Sequence, residues 1–432
     1  MEVLVARLEQ LYAIVSKQQA EITSLQRHRC KAQEDMLTLR DCLEQAGFIR
    51  AEAFQAQLHK RTFTGVLKKH PLRTQRSAGT SVSTIFRIPD LTLSVARFIG
   101  PDMFHELAGA SPDCARSFGS VATRLYKEFP PSIYAIGGAS YRGPVPLVER
   151  FLVKTEEKAH PFQPRACPQL PVARANCSAV TLNRKVVVLA GHDVYGESLD
   201  SVDVFCPDLF CWQKAPPLES TCGWAAAAVA SDEVIVLGGE SGDLTISAVE
   251  RYSLPPRLGT APPGCRWRRP PLPDLTKPRW AAAAAAIGRD VYIGGGHDPQ
   301  GEATSSFERL AVDHGVWQEL PSLSIARASL ALVALHGRIF AAGGYDNQDR
   351  AVSCFDVFTP ATNSWAALPP MLEPRYGLKA LVCCGCILVM GGAGDGVKNC
   401  NMVLSYCPQG KAWAEVAGLR VTRRCLGLTL RW

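Results

Sequence analysis

The 432-residue sequence lacks any run of the about 18–20 apolar residues that would cross a membrane. The nearest stretch, Ala380 to Gly394, is about 15 residues long and is broken by Gly385, Gly391, Gly392 and Gly394. No apolar h-region follows Met1, because Glu2 and Glu9 interrupt the first turns, so no secretory signal is expected. Cysteine is sparse for a disulfide scaffold: 16 residues in 432, expected to be reduced thiols in the cytoplasm or nucleus. Neither GxxxxGK[ST] nor GxSxG occurs, which removes two common phosphate-binding and nucleophile motifs. Asp and Glu are missing from residues 53–89, which carry Lys60, Arg61, Lys68, Lys69, Arg73, Arg76 and Arg87. Residues 1–89 hold 14 Lys+Arg against 8 Asp+Glu, placing +6 of the net +7 there. The remainder is nearly neutral, so it offers no basic face for nucleic acid.

What is present begins with a seam. Leu4, Leu8, Leu11, Val15, Gln18, Ile22, Leu25, Arg29, Ala32, Met36, Leu39 and Leu43 follow 4-3 spacing, with no Pro or Gly before Gly47. This predicts a coiled-coil helix over 1–47 and a homo-oligomer through it; the alternative is an amphipathic helix packed on its own C-terminal domain. Residues 48–87 read as a basic linker.

The C-terminal 300 or so residues repeat. Six apolar runs end in a small pair at Gly137-Gly138, Ala190-Gly191, Gly238-Gly239, Gly295-Gly296, Gly343-Gly344 and Gly391-Gly392. A Trp follows the second glycine by 21 residues at Trp212, Trp317, Trp365 and Trp413. In the third unit Trp267 comes later, after a Pro-rich insertion, and Phe162 is expected at this place in the first. Seven residues before each Trp stand Phe205, Leu310, Phe358 and Tyr406, with Phe151 and Tyr252 as counterparts. Seventeen residues before the second glycine stand Arg174, Arg279, Arg327 and Arg375, with Cys222 breaking the column. Each unit reads as four strands: one after the Arg, one ending in the glycines, one bearing the aromatic and one bearing the Trp. Glycine pairs fit a close backbone approach near an axis, and the Trp supplies an apolar plate between sheets.

These columns resemble the kelch repeat. The resemblance implies an all-β propeller over 132–432, with one four-stranded blade per unit. The chain enters at a glycine-pair strand and finishes with an Arg followed by the apolar strand to Arg431. Residues 425–431 should therefore supply the missing inner strand of the first blade, giving six blades closed by the C-terminus.

Residues 88–125 read as short helices. Ile88-Pro-Asp, then Phe98-Ile99, then Phe104 to Ser111 are similar to an F-box. That likeness implies Leu91, Leu93 and Phe98 as contacts for a Skp-type adaptor of a cullin–RING ubiquitin ligase; a helical collar is the alternative. No catalytic residue, metal or cofactor is expected. Gly191-His192-Asp193 and Gly296-His297-Asp298 read as solvated turns, and the Cys383-Cys384-Gly385-Cys386 turn lacks the further ligands zinc needs.

The expected activity is binding. Equivalent positions of successive blades ring the channel, so Arg174, Arg279, Arg327, Arg375 and Arg424, with Trp224, Trp280 and Tyr376, are the expected channel-face site for an acidic protein or peptide with an apolar anchor. The alternative for each Arg is bracing its own loop. The chain is thus expected to be a non-enzymatic protein-binding adaptor, or else a cytoskeletal, actin-associated scaffold.

Overall fold

In a computed structural model, residues 131–153, 162–207, 209–230, 233–254, 271–395 and 400–431 are described. The expected coiled coil, basic linker and F-box-like segment, with Leu91, Leu93 and Phe98, lie outside them. So does Trp267.

The described residues form a six-bladed, all-β propeller of antiparallel sheets. In the fifth blade Ala331–Leu335 is the inner strand, followed outward by Arg338–Ala342, Phe355–Thr359 and Ser364–Ala367. The second, fourth and sixth blades repeat this order. The third shows three strands among the described residues, Ala226–Ala230, Glu233–Leu237 and Val249–Tyr252.

The closure expected from the chain ends is present. Gly427–Arg431 pairs with Ser132–Ile136 from Ser132↔Arg431 to Ile136↔Gly427. The inner strand is thus drawn from the far end of the chain, leaving that edge no free backbone groups.

Burial follows the repeat. Each of six apolar clusters lies between two neighbouring blades. The cluster across the chain ends joins Ile133, Phe151 and Leu426 to Leu381 and Met390. The aromatic and Trp columns face each other across strands, as in Phe358↔Trp365 and Tyr406↔Trp413. Beyond serving as an apolar plate, each indole is an inter-blade tie: Trp365 Nε1 donates to Pro321 O (2.8 Å) and Trp413 Nε1 to Pro369 O (2.9 Å). One expectation is corrected in the first blade: Phe151 faces Pro164, and Phe162 lies two residues away, opposite Val153.

The second glycine of each pair is sterically required. A Cβ on Gly344, at φ +109°, would stand 2.7 Å from Ala328 O. That approach comes from the turn entering the inner strand, where Ala328 and Tyr345 exchange backbone hydrogen bonds of 3.0 Å each way. This turn shortens the inner strand to Ala331–Leu335, against the expected start at Ala328.

Candidate functional site

The arginine column is inside the blades, not on the channel face. Arg174, Arg279, Arg327 and Arg375 are at most 1% exposed. Arg174 donates to Ser201 O (3.1 Å) and meets Asp203 at 2.5 Å. Arg327 meets Asp356 at 2.7 Å, and Arg279 meets Glu308. The spacing to the glycine pair slides each guanidinium beneath the turn of its own blade, and those of Arg174, Arg279 and Arg327 against a carboxylate on the third strand. These arginines brace the blades and are corrected as ligand-binding residues.

Arg424 is corrected in another way. Arg423, 0% exposed, holds the column, donates to Gly137 O and Leu147 O (3.0 Å each) and pairs with Glu149. Arg424 is one residue on, half-buried at the mouth, where its guanidinium donates to Tyr376 Oη at 2.9 Å.

Two blades break the pair in opposite senses. In the third blade Cys222 stands where the Arg should be, and Glu250 occupies the carboxylate position without a guanidinium. Burial pushes the Glu250 carboxyl up to about 7, against the backbone N–H of Glu219 that stabilises its ionised form. In the sixth blade Leu404 stands at the carboxylate position, and Arg375 turns to Met402 O (3.3 Å) and, at 3.5 Å, Glu373.

Above the inner strands the backbone closes on itself. Asn176 N donates to Cys425 O, Cys425 N to Gly377 O, Gly377 N to Ser329 O, Ser329 N to Ala281 O, Ala281 N to Trp224 O and Trp224 N to Asn176 O, at 2.7–3.2 Å. All these residues have φ between 51° and 63°. Five are not glycine, so a left-handed backbone, uncommon for L-residues, is held at every blade by the same bond. The ring narrows the channel and sets the floor of its mouth.

The mouth is built from two columns: the residue after each buried Arg, or after Cys222, and the residue after each glycine pair. On one side they join Trp224, a residue of the backbone ring, in a continuous arc of rings. Trp224 meets Trp280 (5.8 Å), Trp280 meets His297 (4.3 Å), His297 meets Tyr345 (5.2 Å) and Tyr345 meets Tyr376 (5.1 Å). Arg424 lies 5.7 Å over the Tyr376 ring and ends the arc with a cation. His297 Nε2 and Tyr345 Oη are 2.6 Å apart. Burial lowers the His297 pKa and raises that of Tyr345 to about 12, the latter with help from Asp349, so both are neutral at physiological pH. Trp224, Trp280 and Tyr376, expected at the site, are therefore brought together, half-buried, with Arg424.

The other side is an open depression of about 490 Å³ lined by His192, Tyr195, Trp224 and Glu240 among others. His192 Nε2 lies 3.1 Å from Glu240 Oε1. Tyr141, Tyr195 and Leu244, on the loops of the first three blades, are 72%, 86% and 72% exposed. The corresponding loops in the fourth and fifth blades are polar turns capped by Asp298 and Asp346, each accepting two backbone N–H bonds.

His192, Glu240, His297 and Tyr345 were not expected at the site. They follow the glycine pair directly, a fixed register that could have located them. Asp193 and Asp298 cap their turns, as expected for solvated loops. Among the described residues no three His, Cys, Asp or Glu side chains form a metal-ligating group.

A family model described as the Kelch motif matches residues 173–219 and 326–372, which fall in the second and fifth blades. Kelch-like protein 25 of Xenopus tropicalis is 23% identical over 168 residues, 38% of this chain. The match spans only 27% of that relative's length. Two matched motifs, six blades on the same residue columns and closure by the C-terminal strand make the repeats of this chain similar to the Kelch motif, carried on a six-bladed β-propeller.

Proposed function

We propose that this propeller captures a protein ligand at its channel mouth and serves as the substrate-recognition subunit of a cullin–RING ubiquitin ligase. The observation that carries the binding half is the arc from Trp224 to Arg424. Trp, Tyr and Arg are the side chains that dominate binding energy at interfaces. Here they are held in one geometry before any ligand arrives, which lowers the entropy cost of association. An apolar anchor packs on the rings while a carboxylate of the ligand reaches Arg424.

The ligase half rests on the F-box-like residues 88–118, with Leu91, Leu93 and Phe98 docking a Skp-type adaptor, and the seam of residues 4–43 joins chains into a homo-oligomer. The setting is the cytoplasm or nucleus, and the role is non-enzymatic.

The test is affinity purification of the full-length chain with quantitative mass spectrometry. Trp280→Ala with Tyr376→Ala should deplete captured ligands by tenfold or more while the adaptor stays bound. Leu91→Ser with Leu93→Ser should lose adaptor and cullin and keep the ligands. Absence of adaptor from the wild-type sample, together with co-sedimentation with actin filaments, would replace the ligase role with a cytoskeletal scaffold.

A further inference from the structure

Just below the backbone ring one position of each blade carries a small residue, with one exception. Two residues beyond the ring stand Ser178, Ala226, Ala283, Ala331 and Gly427 in five blades, and Lys379 in the sixth. Lys379 lines two successive cavities on the axis, about 30 Å³ at the ring and about 80 Å³ beneath it. Among the described residues it has no carboxylate within ion-pairing distance. The ionisable groups facing it are the thiols of Cys177 and Cys425, both buried. Burial raises both thiols, Cys425 to about 11, so they are neutral at physiological pH and bring no counter-charge. Arg174 and Arg423, near Cys177, are already paired with Asp203 and Glu149. Arg424, near Cys425, adds positive potential from the mouth side.

A second polar residue, Ser329, lines the upper cavity. The Ser329 hydroxyl, in a residue 7% exposed, lies near the Tyr345 phenol outside hydrogen-bond geometry. Burial lowers the Lys379 pKa because its ammonium form lacks a counter-charge here, and an anion beside it relieves that cost.

We propose that the channel of this propeller is a binding site for a small monoanion, of halide to short-carboxylate size, held by Lys379 below the backbone ring. The lower cavity admits on the order of five water-sized positions, enough for formate or acetate and too few for a sugar acid or nucleotide. The ring bars the mouth side, so entry is from the opposite end of the channel. The site is separate from ligand capture on the arc.

The probe is sodium formate, titrated into full-length protein at constant ionic strength with sodium gluconate, an anion too bulky for the cavity. Thermal unfolding and ¹³C-formate line broadening are read together. The wild type should show a saturable rise in melting temperature and saturable broadening that chloride competes away. Lys379→Met should weaken formate binding tenfold or more, and Lys379→Arg should retain it. A bound anion also favours the ammonium form, so saturating formate should raise the Lys379 pKa. Wild type and Lys379→Met titrating alike would overturn the proposal. Should Lys379→Met fail to fold, non-saturating broadening with wild type or with Lys379→Arg would overturn it equally.

Discussion

The unpaired carboxylate of the third blade makes a quantitative prediction. Glu250 has an ordinary value of 4.5 and is pushed to about 7 in the folded chain. The folded state therefore holds a proton that the unfolded state has released between those two values. Stability from this group is complete below about pH 4.5, declines as pH rises and is lost above about 7. At about 1.36 kcal/mol per unit, the ceiling is about 3 kcal/mol. Because Glu250 is only half-buried, water screens part of it, and about 1–2 kcal/mol is the expected amount. Glu250→Gln keeps an acceptor for the Glu219 N–H, which donates to both carboxylate oxygens at 3.0 and 3.1 Å, and carries no charge. Its stability relative to wild type should grow by about 1–2 kcal/mol between pH 4.5 and pH 8. Urea denaturation at several pH values reads this difference, and common carboxylate effects cancel within it. Cys222→Arg supplies the guanidinium that four other blades direct at this carboxylate. It should stabilise the chain at pH 8 and remove the decline. A Glu250→Gln variant whose pH profile parallels the wild type refutes the reasoning.

Three further outcomes are expected. Removing residues 423–432 takes away a strand paired over five residues, the Arg423–Glu149 pair and buried Leu426 and Leu428. At about 1 kcal/mol per net hydrogen bond and roughly 1.5–3 kcal/mol per buried leucine, the loss approaches a domain's whole margin. The truncated chain should aggregate or melt far lower; an unchanged melt would contradict closure. Trp365→Phe loses the bond to Pro321 O and should cost about 0.5–1.5 kcal/mol in chemical denaturation. For the proposed seam, Leu11→Asp with Leu25→Asp should turn an oligomer into a monomer in sedimentation at micromolar concentration, and a monomeric wild type would contradict it.

Blade number, strand order and closure were legible because each is enforced by a residue type. Only glycine avoids the contact at Gly344, and the indoles of Trp212, Trp317, Trp365 and Trp413 each reach a proline carbonyl across a blade boundary. The acidic column was equally visible, two residues before the aromatic, at Glu149, Asp203, Glu250, Glu308 and Asp356. Set beside the arginines, it would have shown that they brace the blades. Arg424 was misassigned because its blade is split between the chain ends, where spacing to the glycine pair cannot be counted. The backbone ring left no trace at all. Asn176, Trp224, Ala281, Ser329, Gly377 and Cys425 share no chemistry, since the bond that joins them uses only N–H and C=O.

That independence explains how one scaffold carries an asymmetric mouth. Every blade makes the same bridge between its two mouth columns, as in Ala175↔His192, Trp280↔His297 and Tyr376↔Ala393. In most blades a buried arginine braces the bridge from within, and in all of them the backbone ring fixes it from beside. Neither support uses the side chain at the bridge itself. Glycine at 223, alanine at 175 and 328, tryptophan at 280, tyrosine at 376 and arginine at 424 therefore occupy equivalent backbone sites. Side-chain size and charge at these sites vary without cost to the fold, and ligand choice resides in them, just as function resides in loops held by a rigid frame. The rings have gathered over the third to sixth blades, and a histidine–carboxylate pair with exposed Tyr141 and Tyr195 occupies the rest. A ligand that complements both halves can seat in one rotational setting of the six.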